Sequence, residues 1–504
     1  MAGILVSTNV EARCEAPAAL ATCALAVTPT ANDKGGMMSR YWEWVKWNLR
    51  VLLRSLYLTL NYCLPVAAAP VAFLACDSDH RHWWWALLRD CIRRAGPCST
   101  KMAQWIATRP DLFDLEAVHE LSVLQANAYR HNERALVDVL SETFKHCDGM
   151  LDVTLDSDSM LGSGSVASVY RGKLRRRSAN GREDGAEEME EEDVAVKMIH
   201  PEVRDSIKAD LRVMRSCVSF FTGILPFDPV SLADSMEQFA SLMQDQLDMR
   251  TEARNLDRFN EAFKDHHHIF FPVPVPGWVS ENVLVESYEE GPPVSDFLSF
   301  PPAQPHPKVG TDADRLQLAQ LGLEAVLRMV FEHNFVHADL HPGNVIVRGQ
   351  KDGGSSKDLS FVMIDAGITA SLHSSDRRNF IELFRAVVLN DGRHAGHLIM
   401  KRSMLGLEGC LDPEGFEKKL AVVIDECHKK GLSLGRLGVA ELLTRVLTLC
   451  YQHRVRLDPT FTQLVLGIVV VDGLGRRLDA DIDILQACGP HVLRAAANFA
   501  RGGE

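Results

Sequence analysis

The spacing of apolar positions along the chain separates helical from strand-like stretches. Residues 85–150 carry apolar side chains three and four positions apart, a spacing that predicts helices. Short apolar runs broken by glycine and proline begin near residue 151 and are typical of strands and turns. Helical spacing returns at 203–264 and 312–334 and continues through 376–504. The pattern predicts an α+β protein, with a small β-rich lobe between a helical segment and a mostly helical lobe.

Three apolar runs mark the strands nearest to the candidate chemistry. They are VAVKMI at 194–199, a proline-punctuated stretch at 268–294 and FVMIDAGI at 361–368. The first follows residues 173–193, which turn from basic to acidic without apolar periodicity; eight of the last eleven are acids. We expect this segment, with its acidic insert at 176–193, to form a solvated loop between two strands.

A long uncharged run raises the question of membrane contact. Ser55 to Cys76 contains no charged residue for 22 positions, which is long enough to span a bilayer. The preceding YWEWVKWNLRVLLR combines tryptophans with basic residues, as interfacial anchors do. Pro65 and Pro70 interrupt the run, so a re-entrant or buried helical hairpin is an alternative to a single span. We expect residues 41–85 to contact a membrane lipid surface by one of these routes.

The first 40 residues form a possible targeting or disordered segment. They are rich in Ala, Thr and Ser, but acidic residues balance the basic ones, whereas a mitochondrial transit peptide should be more basic. This segment alone leaves the compartment open.

Composition argues against some classes of function. With 46% hydrophobic and 24% charged residues, the 504-residue chain is ordinarily globular and long enough for more than one domain. A net charge of −13 argues against a general nucleic-acid binder, which needs a basic face to neutralise phosphates. The 12 cysteines contain no C-x-x-C pair, so we expect free thiols and neither a disulfide framework nor a zinc site.

A glycine loop and a strand lysine form the first part of the candidate chemistry. Gly162, Ser163, Gly164 and Ser165 stand between two predicted strands, where glycines let the backbone approach phosphates and donate N–H groups to them. Lys197 ends VAVK, and a lysine that points inward needs an anionic partner such as a phosphate or a helix glutamate. Each feature alone is weak, because plain β-turns contain glycines and strand-edge lysines are common.

The stretch HADLHPGNVIV at 337–347 is more specific. Asp339 precedes Asn344 by five positions on a loop that enters a strand, which places a carboxylate and an amide oxygen in one cleft. The carboxylate can accept a hydroxyl proton, and the amide oxygen can ligate a metal. Asp365 adds a second carboxylate after the next strand. An isolated H-x-D also occurs in structural loops, but the order of glycine loop, lysine, helix glutamate and these residues is that of protein kinases.

Together these motifs resemble the UbiB family of atypical kinases, also called aarF-domain or ADCK-type proteins. HADLHPGN at 337–344 is similar to that family's H-x-D-L-H-P-G-N catalytic loop, and Lys197 with the His-Pro that follows is similar to its V-K-x-x-H-P. DMRTEARN at 248–255 is similar to its R-x-E-A-x-N helix motif, and Lys101–Gln104 to the K-x-G-Q signature of its N-terminal extension. The resemblance covers about residues 90–490.

The resemblance implies a two-lobed protein-kinase-like fold with an N-terminal helical extension packed over the active site. On that basis the chain divides into five parts. They are a possible targeting segment (1–40), a membrane-associated helical segment (41–85), the extension (86–150), an N-lobe (151–295) and a helical C-lobe (296–504).

The resemblance also implies roles for individual residues. Lys197 would bind the α- and β-phosphates of ATP and pair with Glu252, and Asp339 would be the catalytic carboxylate. Asn344 and Asp365 would hold Mg²⁺. Further nucleotide-binding positions are the glycine loop, Glu286 at the adenine hinge, and Lys101, Gln104 and Asp248 around the extension.

The chain departs from the family pattern at several positions. Ala103 replaces the glycine of K-x-G-Q, and Gln246 stands where most members have the glutamate that answers the extension's lysine. Gly162–Ser165 replaces an alanine-rich loop, and Ala366 replaces the phenylalanine that usually follows the metal aspartate. These changes leave the metal site whole and concern how tightly the extension gates the pocket.

The function that the resemblance implies is an ATP- and Mg²⁺-dependent atypical kinase or ATPase that supports coenzyme Q (ubiquinone) biosynthesis or quinone lipid homeostasis. The expected setting is the mitochondrial inner membrane, with a plastid as the alternative. Expected partners are a membrane lipid surface and quinone precursors or coenzyme Q biosynthesis proteins, with no nucleic acid.

Two other functions fit part of the pattern. One is a small-molecule kinase of the aminoglycoside- or choline-kinase type, and the other is a catalytically silent nucleotide-binding scaffold. The apolar segment and Lys101–Gln104 argue against the first, because a soluble metabolite kinase needs neither. The complete set of catalytic positions argues against the second.

Overall fold

The structure, a computed structural model, describes much of the chain from residue 34 onwards. The described residues are 34–75, 77, 81–107, 113, 115–122, 124, 139–140, 143–144, 150–153, 159–177, 189–201, 203–222, 229–298, 310–349, 359–403, 406–429, 439–457, 461, 464, 475, 477–478 and 484–500. The possible targeting segment therefore lies outside the described residues except for 34–40. The chain divides into two compact units, residues 1–57 and 58–504.

The first unit is described from Lys34 as the first half of helix α1 (Lys34–Ala75). Many of its large side chains are exposed, among them Tyr41, Trp42, Trp44, Leu49, Leu52, Leu53 and Leu56. The whole helix continues without a break through Pro65 and Pro70, so the helical hairpin considered from these prolines does not form. Within the described residues, Met38–Leu74 is the helical stretch long and apolar enough to cross a bilayer.

The second unit begins with short helices that form the extension. They are α2 (His82–Ala95), α3 (Pro97–Ala107) and α4 (Leu115–Ser122). Trp84 and Trp85 are buried in a cluster with Ala72 of α1, and the Trp84 indole donates to the Pro65 carbonyl at 2.8 Å. These two tryptophans are therefore core residues of the second unit, and the predicted membrane segment 41–85 ends inside α2.

The β-rich lobe contains one antiparallel sheet. Its strands are β1 (Met150–Val153), β2 (Met160–Ser163), β3 (Ala167–Arg177), β4 (Met189–Ile199), β6 (Pro274–Val279) and β7 (Val283–Ser287), while β5 (Ile269–Phe270) pairs elsewhere. The order is β1-β3-β4-β7-β6, with β2 beside β3. Val196 and Val285, which lie opposite each other on β4 and β7, pack into one apolar cluster. Because side chains alternate along a strand, Lys197 and Glu286 point to the other face, towards the cleft.

Part of the predicted acidic loop is strand. β3 extends to Arg177 and β4 begins at Met189, so residues 189–193 pair with the basic end of β3. Arg175 lies opposite Glu191, with 2.8 Å between Nε and Oε2. The loop prediction was wrong for these described ends, because opposite charges facing each other across the ladder extend the hairpin. Residues 178–188 of the insert lie outside the described residues.

Three helices replace the single helical stretch expected at 203–264. They are α5 (Val203–Thr222), α6 (Pro229–Asp245) and α7 (Met249–Ala262). Helix α3 of the extension packs on the first two: the sulfur atoms of Cys98 and Met214 are 4.0 Å apart, and the rings of Trp105 and Phe239 have centroids 6.0 Å apart. The extension thus lies against the helices next to the β-rich lobe.

The C-lobe contains short strands and further helices. Its elements are α8 (Asp312–Leu327), a π-helical turn (Arg328–Glu332), β8 (Val336–His337), β9 (Val345–Gly349), β10 (Leu359–Met363), β11 (Thr369–Ala370), α9 (Ser374–Val388), α10 (Gly392–Lys401), α11 (Pro413–Lys429), α12 (Val439–Gln452) and α13 (Ile484–Ala500). Short 3₁₀ turns lie at Val294–Phe297, Pro342–Asn344 and Leu407–Gly409. The strands form the sheets β5-β10-β9 and β11-β8.

The connection between the lobes passes close to β9. Val347 donates its N–H to the Pro292 carbonyl at 2.9 Å. A β-carbon added at Gly291 would lie 2.3 Å from the Val347 carbonyl oxygen, so only glycine fits there. The predicted α+β, two-lobed architecture is confirmed, and this contact fixes the mouth of the cleft between the lobes.

Candidate active site

Lys197 is the centre of a buried charge cluster between the lobes. Its Nζ lies 2.8 Å from Glu252 Oε1 on α7 and 2.7 Å from Asp365 Oδ1 in the loop after β10. Lys197 is 8% exposed and Glu252 is 4% exposed, whereas 44% of the Asp365 side chain remains accessible from the cleft. A buried lysine requires such partners. The Lys197 ammonium therefore joins the sheet, the helix and the loop. These contacts include the Lys197–Glu252 pair that the resemblance implies.

The electrostatics of this cluster distinguish its two carboxylates. Burial would lower the pKa of Lys197, but Asp365 and Glu252 outweigh burial and raise it, so the amine stays charged. Burial would raise the pKa of Asp365, but the Lys197 ammonium holds it well below its usual range. Burial raises the pKa of Glu252 to about 7, against the lowering effect of Lys197. Asp365 is the ionised carboxylate, and Glu252 is the one that protonates more easily.

Glu286 enters the same cluster from β7. The residue is 5% exposed, and its Oε2 makes no hydrogen bond with any described residue. It lies opposite Ala195, two positions from Lys197 on β4. Burial raises the pKa of Glu286 to about 8, and the charge of Glu252 adds to that rise. The structure thus places this side chain beside the lysine cluster, on the inner wall of the cleft.

His337 holds the loop that carries Asp365. Its Nε2 lies 3.2 Å from the Ile364 carbonyl oxygen, and its Nδ1 accepts the Asp339 N–H at 3.3 Å. A neutral ring protonated at Nε2 satisfies both bonds, and burial lowers the pKa of His337 accordingly. Ile364 in turn donates its N–H to the Asn344 carbonyl at 2.9 Å. Asp365 has φ +61°, a left-handed conformation rare outside glycine, which these bonds help to hold.

Asp339 and Asn344 share one loop. The Asn344 Nδ2 donates to the Asp339 carbonyl at 3.0 Å, which fixes the amide so that its oxygen faces away from this bond. His341 caps the intervening 3₁₀ turn by accepting the Gly343 N–H at 3.1 Å. The loop thus fixes the backbone that carries the Asp339 carboxylate and orients the Asn344 amide.

The predicted phosphate loop is the turn between β2 and β3. Gly164 donates its N–H to the Ala167 carbonyl at 2.8 Å, and the hydroxyls of Ser163 and Ser168 are hydrogen-bonded at 3.0 Å. Ser165 is buried beside them. These bonds close the hairpin and fix the shape of its turn.

The space beside Gly162, in β2 just before this turn, is open. A β-carbon added at Gly162 would meet no other atom within 4 Å. His200, at the end of β4, is fully buried, and its Nε2 lies 3.4 Å from the Gly164 carbonyl oxygen. His200 therefore supports the turn at Gly164, while the space beside Gly162 is open.

Helix α3 brings Lys101 towards the cleft. Its positive charge helps to lower the pKa of Asp365, so the lysine lies within electrostatic range of that carboxylate. Gln104 donates to the Leu124 carbonyl at 3.1 Å and is engaged within the extension. Asp248 caps the first turn of α7. Lys101 thus acts on Asp365 through its charge, whereas Gln104 and Asp248 make structural contacts.

The oxygen donors fit a magnesium nucleotide. Asp365 offers a carboxylate and Asn344 an amide oxygen. Among the residues that the structure describes, no cluster of three or more His, Cys, Asp or Glu side chains is arranged as a metal site. Mg²⁺ is commonly held by one or two carboxylates together with substrate phosphates. These residues suit a cation that arrives with its nucleotide.

Asn255 contacts the loop that carries Asp365, the predicted metal loop, although the sequence analysis gave it no role. Its Nδ2 donates to the Ala366 carbonyl at 2.9 Å, across 111 positions of sequence. The available signal was its place three residues after Glu252, because that spacing puts both side chains on one helix face. No sequence pattern shows which carbonyl that face would meet.

Comparison with known proteins assigns the chain to a family. Residues 154–398 match the family model of the ABC1 atypical kinase-like domain, and residues 423–483 match the UbiB helical domain. A mitochondrial ABC1 family protein of Saccharomyces cerevisiae is 31% identical over 454 residues, which cover 82% of this chain and 68% of the relative. The chain belongs to the ABC1 family of atypical kinases.

Further ABC1 relatives match over similar lengths. A probable serine/threonine-protein kinase of Dictyostelium discoideum is 28% identical, with 89% of this chain and 69% of the relative covered. A protein of Tolumonas auensis named as the probable protein kinase UbiB is 25% identical, with 81% and 69% covered. The kinase-like fold predicted from the sequence is confirmed. The ABC1 kinase-like match contains the lysine cluster and the catalytic loop, while Lys101 and Gln104 precede it.

Proposed function

We propose that this ABC1 protein binds ATP with Mg²⁺ and transfers or hydrolyses the terminal phosphate at a mitochondrial membrane. The observation that carries the proposal is the contact of Lys197 with both Glu252 and Asp365. A lysine held by a helix glutamate and in reach of a metal carboxylate is the arrangement by which kinases bind nucleotide phosphates.

Each residue of the cluster has a part in this chemistry. Lys197 neutralises charge on the α- and β-phosphates while Glu252 holds its side chain in the cleft. Asp365 and Asn344 hold the cation, which when bound neutralises charge that develops on the phosphates. Asp339 accepts a proton from the attacking hydroxyl, or orients a water if hydrolysis is the reaction. The turn at Gly162–Ser165 offers backbone N–H groups to the phosphates.

The membrane setting is supported by α1 and by the relatives. The helix has a long apolar stretch with exposed leucines. The ABC1 relatives of Saccharomyces cerevisiae and Schizosaccharomyces pombe carry the word mitochondrial in their names. The likeness to proteins named UbiB supports a role in coenzyme Q biosynthesis or quinone lipid homeostasis, with quinone precursors or the proteins that make coenzyme Q as partners.

Phosphate release from Mg-ATP tests the proposal. The full chain is assayed with and without liposomes, beside the Asp339→Asn variant. We expect release by the wild type that increases with liposomes and is lost in the variant, because the amide cannot accept the proton. Release by the wild type no higher than that of the variant would contradict an ATPase, and would require a search for a specific acceptor.

A further inference from the structure

The loop that carries Asp365 has little apolar anchorage of its own. The residue after Asp365 is Ala366, which is fully buried but offers only a methyl group to the core. Gly367 follows, and a β-carbon there would lie 3.3 Å from Asp365 Oδ1. The left-handed Asp365 is therefore followed by two small residues, and hydrogen bonds must fix the backbone at this point.

The hydrogen bonds before and after Asp365 come from different elements. Ile364, before it, is held by His337 and by the Asn344 carbonyl. The carbonyl of Ala366, after it, accepts the Asn255 amide of α7 at 2.9 Å. Asn255 thus holds the Ala366–Gly367 peptide group, one residue past the metal carboxylate.

Helix α7 contributes to the site through two residues on one face. Glu252 holds Lys197, and Asn255, one turn further on, holds the metal loop. A displacement of α7 would move both at once. We propose that Asn255 is a positioning residue, which keeps the Ala366 carbonyl and the left-handed Asp365 in the form that receives the cation. The inference rests on the proposed function, since it names the residue that sets how strongly Mg²⁺ supports nucleotide binding.

The same helix offers a matched control. Asn260 also lies on α7, and its Nδ2 donates to a backbone carbonyl at the same distance, 2.9 Å, but the acceptor is Pro272 before β6. Asn260→Ala removes an equivalent bond whose acceptor is not part of the loop that carries Asp365. Asn255→Ala removes the donor, and Asn255→Asp keeps the side-chain size while it places an acceptor against the Ala366 carbonyl.

The experiment measures nucleotide binding by the full chain against Mg²⁺ concentration, with a fluorescent ATP analogue as the probe. We expect Asn255→Ala to raise the half-saturating Mg²⁺ concentration about tenfold, because the variant loses one buried hydrogen bond. Asn255→Asp should raise this concentration at least as much. Binding of the same probe in EDTA should stay within about twofold of wild type, since Lys197 and the turn at Gly162–Ser165 are unchanged. Asn260→Ala should melt lower than wild type and keep the wild-type Mg²⁺ dependence.

Hydrogen exchange without nucleotide or metal gives a readout independent of activity. Amides of 364–368 should exchange faster in Asn255→Ala than in wild type or Asn260→Ala. If wild type binds the Mg²⁺-supported probe and both Asn255 variants match Asn260→Ala, the inference is overturned while the proposed function stands. If wild type binds no nucleotide, the proposed function fails, and unchanged exchange of 364–368 in Asn255→Ala would overturn the positioning role as well. Should Asn255→Asp not fold, Asn255→Ala decides both measurements.

Discussion

At the scale of single residues, the cleft holds more carboxyl groups than the Lys197 ammonium can neutralise. Lys197 contacts Glu252 and Asp365, and Glu286 lies beside them without a hydrogen-bond partner for Oε2 among the described residues. Buried carboxyl groups that lack a cation shift towards the protonated form. The pKa values of Glu252 and Glu286 are raised accordingly, while that of Asp365 is lowered. Of these three carboxyl groups, Asp365 is the one whose pKa is lowered, and it is also the one that faces the cleft.

Replacing Glu286 should change how stability depends on pH. The folded pKa of Glu286, about 8, exceeds the unfolded value of 4.5, so the folded state binds the proton more tightly. Its contribution to stability is complete below about pH 4.5 and is lost as pH rises towards 8. Glu286→Gln has no proton to lose. Between these pH values the variant should become more stable relative to wild type, by on the order of a few kcal/mol of unfolding free energy, and its Tm should rise relative to that of wild type. The difference should level off above pH 8.

Thermal melts from pH 5 to 9 check this expectation. Glu290→Gln, at an exposed position four residues further along the chain, is the control and should follow wild type at every pH. Parallel melting curves for Glu286→Gln and wild type would show that the Glu286 carboxyl is not shifted by burial.

Asp365→Asn should separate metal-dependent from metal-independent binding. The change removes a charged cation ligand, so we expect Mg-ATP affinity to fall at least about tenfold. It also frees Lys197 from one carboxylate, so ATP affinity in EDTA should be equal or higher. Calorimetric titrations of the protein with ATP, once in Mg²⁺ and once in EDTA, measure both affinities. Asp376→Asn on α9 is a control outside the cleft. An unchanged Mg-ATP affinity would remove Asp365 from the metal site.

At the scale of elements, contiguous motifs were predictable, whereas contacts between distant elements were predictable only where the family resemblance supplied them, as for Lys197 and Glu252. The loop from His337 to Asn344 is local, so its order of polar residues already indicated a carboxylate and an amide in one cleft. The Asn255 contact with Ala366 depends on where α7 packs, which no local pattern contains. The direction of Glu286 depends on the register of β7 with β4. Sequence also placed the acids at 189–193 in a loop, because charge alone does not show an opposing basic strand.

The connection between the lobes should not tolerate a side chain at Gly291. A methyl group there would collide with the Val347 carbonyl, and β9 or the connection must move. We expect Gly291→Ala to lower the free energy of unfolding by about 1–3 kcal/mol, the usual range for overpacking, and to weaken nucleotide binding because the cleft mouth shifts. Gly349→Ala, at an exposed position of β9 where the added carbon would lie 3.8 Å from Leu359 Cδ2, should leave stability close to wild type. Chemical denaturation and probe binding measure both, and a Gly291→Ala protein as stable as wild type would refute the close contact.

At the scale of the whole molecule, one chain combines a kinase-like body with an apolar helix. The ABC1 and UbiB helical matches lie between residues 154 and 483, whereas the long apolar stretch lies at Met38–Leu74. Binding of a nucleotide does not require the exposed leucines of α1. Apolar side chains left exposed along a helix of this length are typical of a lipid-facing surface. The proposed chemistry and the proposed membrane contact therefore lie in separate segments of the chain.

Substitutions on α1 can test the membrane contact without disturbing the body. Leu52, Leu56 and Leu60 are exposed and lie four positions apart on one helix face, so changing all three to Asn should leave the melting temperature unchanged. Deleting 41–85 would be a poorer test, because it removes Trp84 and Trp85 from the core. Each leucine buried in lipid contributes about 1.5–3 kcal/mol, so vesicle binding should fall at least about 100-fold in a flotation assay. The control changes three exposed leucines of the body to Asn, namely Leu389, Leu411 and Leu493, and should float as wild type does. If the α1 variant still floats with the vesicles, the contact with lipid lies outside this helix face.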